Sequence, residues 1–188
     1  MTFKISAIVA VDEEGGIGKD GKMAWHIPED FKHFKEYTKG SLCIMGSVTY
    51  QDIRSHKKTT DGEFLPGRVC FVLSKEAHLL REECPYSEVY FASDGNMLKD
   101  IIYFSSKSPA PLMLPVAKID EVCIVGGKSV YELFFDITDT LIVTRVKGTH
   151  GCDTKMDLTP YENIATTVHG CNLGVTPHMV EYYILSHE

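Results

Sequence analysis

The sequence has no long apolar run. Its longest, Ala7 to Val11, falls far short of the ~20 residues that a membrane-crossing helix needs, and no cleavable apolar leader precedes the strand-like start Met1-Thr2-Phe3-Lys4. It also lacks basic excess. Nineteen Lys and Arg against 26 Asp and Glu leave a formal charge of −7, which argues against a nucleic-acid or membrane partner, since either requires a basic face. None of the six cysteines forms a Cys-x-x-Cys pair, and Cys43, Cys70 and Cys123 sit in strand-like apolar runs as small buried hydrophobes would. Free thiols, and therefore a soluble cytoplasmic protein, are expected. Two His-Gly-Cys triplets, at 150–152 and 169–171, offer two histidines and two cysteines. Structural zinc ligands pair at shorter spacings, so no metal site is expected. Neither glycine turn that ends a strand, at 45–49 or 125–129, is a Gly-x-Gly-x-x-Gly or Walker pattern, which disfavours Rossmann-type and ATP-binding readings. No repeat, low-complexity tract or charge block divides the 188 residues, so a single domain over 1–188 is expected.

What the sequence does have is alternation. Strand-like runs fall at Lys4–Val11, Leu42–Met45, Val69–Leu73, Glu88–Ala92, Glu121–Val125, Thr140–Val146, Ile164–His169 and Met179–Leu185. Helical patterns lie between the early ones, at Pro28–Thr38, Val48–Arg54, Gly95–Phe104 and Ser129–Phe134. The order implies an α/β fold with three layers: a central, mostly parallel sheet, antiparallel C-terminal edge strands and about four flanking helices. Ser55–Gly67 and Ser105–Val116 read as long surface loops, the second rich in proline.

Three features carry candidate chemistry, each with a plainer reading beside it. Asp30 falls on the helix face of Ile27, Phe31, Phe34 and Tyr37, a carboxylate in an apolar stripe. It is either a helix-dipole partner or a site group, and Glu29 already serves the dipole from the outer face. Two strand-to-helix turns, Met45-Gly46-Ser47-Val48-Thr49 and Val125-Gly126-Gly127-Lys128-Ser129, could approach a diphosphate, although glycine also ends strands for steric reasons alone. The glycine-rich segment Gly15 to Trp25 reads as a mobile lid with Met23 and Trp25 on its apolar face, or as a simple surface hairpin.

Taken together, Ile5 to Ala10, Ile17-Gly18, Met23-Ala24-Trp25-His26-Ile27-Pro28-Glu29-Asp30-Phe31 with Phe34, Ile44-Met45-Gly46 with Thr49, Leu65-Pro66-Gly67-Arg68, Val72-Leu73-Ser74-Lys75 and Val125-Gly126-Gly127 through Val130-Tyr131-Glu132 resemble the dihydrofolate reductase family. Thr144 and Cys152-Asp153-Thr154 extend the match. The resemblance implies NADPH-dependent reduction of 7,8-dihydrofolate, with hydride to C6 and a proton to N5, serving one-carbon metabolism. It implies that Asp30, the one ionisable group expected in the pocket, accepts the pterin's donors. Thr144 would bond it, and Trp25 would hold a nearby water. Ile8, Val9, Phe31, Phe34, Ile53 and Val125 would wall the substrate, and Arg68 would clamp its carboxylate tail. Ala10, Ile17 and Gly18 would meet the nicotinamide, with Tyr131 at the ring and Met23 in the lid. Gly46, Ser47, Val48, Thr49, Gly126, Gly127, Lys128, Ser129 and Val130 would hold the diphosphate. Leu73, Ser74 and Lys75 would meet the adenosine phosphate.

This sequence departs from the family pattern in three places. Ser47 and Val48 stand where the family usually has basic or polar groups, Ala24 where proline is common, and Cys152 where glycine is common. Dihydrofolate and NADPH are the expected small-molecule partners. A monomer is expected, with a dimer as the other possibility. The alternatives are the related pyrimidine reductase of riboflavin synthesis and a non-catalytic folate- or nucleotide-binding protein.

Overall fold

Strand β1 (Lys4–Val11) runs through the centre because its residues alternate between two apolar layers. Ile5, Ala7, Val9 and Val11 pack on one side, while Ile8 packs on the other. A computed structural model describes residues 3–57, 62–107, 121–173 and 178–187. After β1 come the short β2 (Gly16–Gly18), helix α1 (Pro28–Tyr37), β3 (Leu42–Gly46), α2 (Ser47–Ser55), β4 (Val69–Leu73), α3 (Ala77–Glu82), β5 (Val89–Ala92) and α4 (Gly95–Lys107). Then follow β6 (Glu121–Gly126), α5 (Lys128–Phe134) with a 3₁₀ turn over Phe135–Ile137, β7 (Thr140–Arg145), β8 (Thr154–Lys155), α6 (Thr159–Ile164), β9 (Ala165–Asn172) and β10 (Met179–Leu185).

Eight strands form one sheet in the order β5-β4-β3-β6-β1-β7-β10-β9. Pairing is parallel from β5 to β7 and antiparallel where β10 joins β7 and β9. Helices α1, α2 and α3 cover the face that contains Ile8, Cys43, Met45, Cys70, Cys123 and Val125, whereas α4, α5 and α6 cover the face of Val9, Leu42 and Ile124. The expected three layers and the antiparallel edge are therefore present.

Some expectations need correction. The described residues contain six α-helices, not about four. Helices α3 and α6 are six residues each, too short for a periodic signal, and α6 supplies a helix to the C-terminal third. Of the two expected loops, residues 58–61 and 108–116 lie outside the described residues. Ser105 to Lys107 complete α4. Phe64, within the other stretch, is fully buried against Tyr50 and Tyr86, with ring centroids 5.0 and 5.4 Å away. The segment Gly15 to Trp25, read as a lid or a surface hairpin, contains a hairpin turn: β2 pairs with β8, and Lys19 and Lys22 exchange two backbone bonds of 2.8 and 2.9 Å. Asp20 and Gly21, at φ 51° and 73°, make the two-residue turn between them.

Candidate active site

The two glycine turns after β3 and β6 and the start of α1 after β1 all follow the carboxyl ends of parallel strands, the position at which open α/β sheets bind ligands. Proline at the first position starts α1 directly above that edge. The helical stripe carries Asp30 inward, where it is 7% exposed although Glu29 remains at the surface. Thr144, paired with Ala10 across β1 and β7, donates its hydroxyl to Asp30 Oδ1 at 2.6 Å. Burial raises the Asp30 carboxyl above its ordinary range, and the Thr144 hydrogen bond and the nearness of His33 and His178 offset part of the rise. The expectation of a single ionisable group is corrected by those histidines. His33 lies one helical turn beyond Asp30, half-buried, with Nε2 3.0 Å from the Tyr182 hydroxyl.

Ile8 and Val125 lie on the sheet face that α1 and α2 cover, Phe34 of α1 and Ile53 of α2 pack against that cluster, and Phe31 stands more exposed with its ring 5.1 Å from His26. Val9 does not join them. Strand alternation turns its side chain into the opposite layer with Val11 and Val130, which corrects its place among the substrate walls. Arg68 is 6% exposed. It donates to the Thr38 hydroxyl at 3.0 Å and to the Pro66 carbonyl at 3.3 Å, and it lies 6.0 Å from the Phe34 ring centroid. No carboxylate pairs with it among the described residues. Arg145, outside the crevice, is paired with Glu162 and Glu181 at 2.9 and 2.8 Å.

Neighbouring strands β3 and β6 bring the two glycine turns together. A Cβ on Gly46 would lie 3.3 Å from Val130 and 3.8 Å from the Gly127 nitrogen, and one on Gly127 would lie 3.6 Å from the Thr49 hydroxyl. Gly126 has φ 111°, and a Cβ there would come within 2.9 Å of the Tyr131 hydroxyl. The Gly126–Gly127 peptide is cis. Tyr131 is buried and donates to the Ile8 carbonyl at 2.7 Å, so its phenol, pushed well up by burial, is fixed beneath β1. Helix α2 starts without a side-chain cap, so its first N–H groups at Ser47 and Val48 are free to meet an anion. Ala10 and Ile17 are half-buried, while Gly18 is buried in β2. After β4, Leu73 and Ser74 are half-buried and Lys75 is exposed, with the Ser74 hydroxyl accepting from the Glu76 N–H at 3.1 Å. Lys128, expected at the diphosphate, has Glu132 3.9 Å away and lines a cleft with Lys155, Asp157 and Glu162. Ser129, next along α5, is exposed.

The lid residues rest on α2. A Gly21 Cβ would lie 3.2 Å from Val48, and the Met23 N–H reaches Asp52 Oδ2 at 3.3 Å. Met23 is exposed, and Trp25 is half-buried with its indole nitrogen enclosed and unpartnered. Asp153 accepts from the Asp20 N–H at 2.7 Å and donates its own N–H to the Gly18 carbonyl. The sequence reading missed Asp12, Asp52, His33 and His150. Asp12 falls at a strand end and the others owe their places to tertiary contacts, so no periodicity marks them. In the two His-Gly-Cys triplets, Cys152 lies against Gly16 and Asp12, and Cys171 is exposed on β9.

This is an α/β fold with a buried carboxylate on α1 and paired glycine turns at the carboxyl edge of a parallel sheet, the layout of a nucleotide-using enzyme. The family described as dihydrofolate reductase matches residues 4–171. A dihydrofolate reductase type 9 of Escherichia coli is 31% identical over 159 residues, covering 85% of this chain and 79% of that protein. The viral dihydrofolate reductase of saimiriine herpesvirus 2 is 32% identical over 174 residues, covering 86% and 74%. The structure of an Enterococcus faecalis dihydrofolate reductase complexed with NADP(H) and RAB-propyl superposes with a TM-score of 0.68 at 23% identity over 98% of this chain and 99% of that one. The chain belongs to the dihydrofolate reductase family and is an enzyme of that kind. The match supports the leading expectation and not the pyrimidine-reductase or non-catalytic binding-protein alternatives. Among the described residues no helix is long and apolar enough to cross a membrane.

Proposed function

We propose that this chain reduces 7,8-dihydrofolate to tetrahydrofolate with NADPH, and that Asp30 orients the pterin. The observation that carries this reading is a buried carboxylate whose only donor among the described residues is one hydroxyl, that of Thr144. Such a group is costly to bury unless a ligand completes its hydrogen bonds. The pterin's 2-amino group and N3–H form a donor fork that a carboxylate accepts in a bidentate way. Thr144 fixes the carboxylate's rotation, and Asp30 favours protonation at N5 through solvent. Ile8, Phe34, Ile53 and Val125 exclude water around the ring. Arg68, buried and unpaired with any carboxylate among the described residues, receives the substrate's tail carboxylate as a fork.

The residues present fit NADPH. A side chain on Gly46 or Gly126 would crowd the cradle between the turns, and the uncapped start of α2 presents free N–H groups to phosphate oxygens. Ser47, Val48 and Thr49 with Gly126 to Val130 would hold the diphosphate, Leu73, Ser74 and Lys75 the adenosine end, and Ala10, Ile17, Gly18 and Tyr131 the nicotinamide. When bound there, NADPH supplies the hydride. Met23 and Trp25 close the crevice against water.

The test is the loss of reduced-nicotinamide absorbance with dihydrofolate, using NADPH and NADH in turn. Dihydrofolate-dependent oxidation that is faster with NADPH supports the reading. No oxidation with either cofactor contradicts it.

A further inference from the structure

We propose that His150 is a positioning residue for the Trp25 indole, with Asp12 anchoring His150. The proposal rests on the reading above only for its kinetic consequence.

Asp12 follows β1 and is 4% exposed. Its Oδ1 accepts the N–H groups of Glu14 and Gly16 at 3.0 and 2.7 Å, and its Oδ2 accepts the N–H of His150 at 3.0 Å. One carboxylate therefore ties the root of the lid to the segment after β7. The His150 ring then meets Trp25 edge-on, with centroids 5.1 Å apart and planes at 65°. Trp25 lies outside any helix or strand, five residues before Asp30, so no backbone ladder fixes its ring. His150 is its only aromatic partner among the described residues.

Two buried nitrogens without hydrogen-bond partners belong to this pair, Trp25 Nε1 and His150 Nδ1. Nδ1 lies 3.8 Å from Asp12 Oδ2, too long for a hydrogen bond from a neutral ring but within ion-pair range for a protonated one. The other charged or titratable groups facing this point are few. Cys152 has its thiol on Asp12, Lys19 has its ammonium 3.7 Å from where a Gly151 Cβ would be, and Asp153 is engaged with Asp20. His26, next to Trp25 in sequence, is exposed and turned onto Phe31.

Trp25 is the single tryptophan beside nine tyrosines, so emission excited above the tyrosine absorption band reads its surroundings alone. In unliganded protein, the emission maximum of His150→Ala should move to longer wavelength because the indole loses its edge-on cover. His150→Phe should return the maximum to that of the parent, and His26→Gln should leave it there. With dihydrofolate, His150→Ala should raise KM about threefold to tenfold with a smaller change in maximal turnover, and His150→Phe, which restores an aromatic edge, should return KM to within about twofold of the parent. An emission maximum unchanged in His150→Ala, or moved as far in His26→Gln, overturns the proposal. So does an unchanged KM in His150→Ala. Absence of dihydrofolate reduction in the parent would instead defeat the proposed function, and the emission shift would still decide the contact.

Discussion

Two buried aspartates stand near the same edge of the sheet and behave in opposite ways. Asp12 is surrounded by backbone donors. Burial pushes its carboxyl up, but hydrogen bonds from Gly16, His150 and Glu14 outweigh it and hold the group below the usual range. Asp30 receives one hydroxyl, and burial wins. The cations repeat the contrast, with Arg145 saturated by Glu162, Glu181 and Tyr183 and Arg68 left without a carboxylate among the described residues. A saturated buried charge belongs to the fold. An unsaturated one is held ready for a ligand, at a cost in stability that binding recovers.

The largest effect should come from Asp30→Asn. Turnover near neutral pH should fall at least ~100-fold, with partial recovery in acid where substrate arrives protonated. The thermal midpoint should not fall. A variant that loses stability and keeps its rate would reverse the roles assigned to the two aspartates. Asp12→Asn should do the opposite, costing about 2 kcal/mol of unfolding free energy through the lost charge-assisted bonds, read by urea denaturation, with a far smaller effect on turnover per folded molecule. Arg68→Leu should weaken dihydrofolate binding about tenfold or more by titration while leaving NADPH binding in place. Equal loss of both ligands would remove Arg68 from the comparison.

Smaller changes sharpen the same picture. Thr144→Val removes the one donor that offsets burial at Asp30. The acid limb of the pH–rate profile should therefore move to higher pH, with a threefold to tenfold loss of kcat/KM, on the order expected for one positioned hydrogen bond. Lys75→Ala should narrow the preference for NADPH over NADH by a few-fold, measured as the ratio of kcat/KM values. An unchanged ratio would place recognition of the 2′-phosphate elsewhere.

The sequence showed the contrast only in part. Asp30 was visible because a helix of regular period places it among Phe31, Phe34 and Tyr37, and the strands were visible because alternation or continuous burial marks them. Asp12 was not, since its meaning depends on three N–H groups brought in by a turn and by a segment more than a hundred residues away. Val9 was misplaced because the resemblance named positions, whereas the pleat decides which side chain faces which layer. The pairing of β2 with β8 escaped notice for a related reason: three residues and two carry no period, and only their meeting makes them strands.

Asp12 is satisfied by the fold and Asp30 is not. Linkage gives the two groups opposite signs. Asp30, with its folded-state pKa raised, lowers stability as pH climbs from the unfolded carboxylate value through the folded one. Asp12, with its folded-state pKa depressed, contributes stability above the unfolded value and loses it as pH falls through the folded one. The most direct test is urea unfolding of the parent, Asp30→Asn and Asp12→Asn across acid to neutral pH. The predicted result is that, with rising pH, the parent loses ground to Asp30→Asn and gains on Asp12→Asn. Two differences that change in the same direction would contradict it.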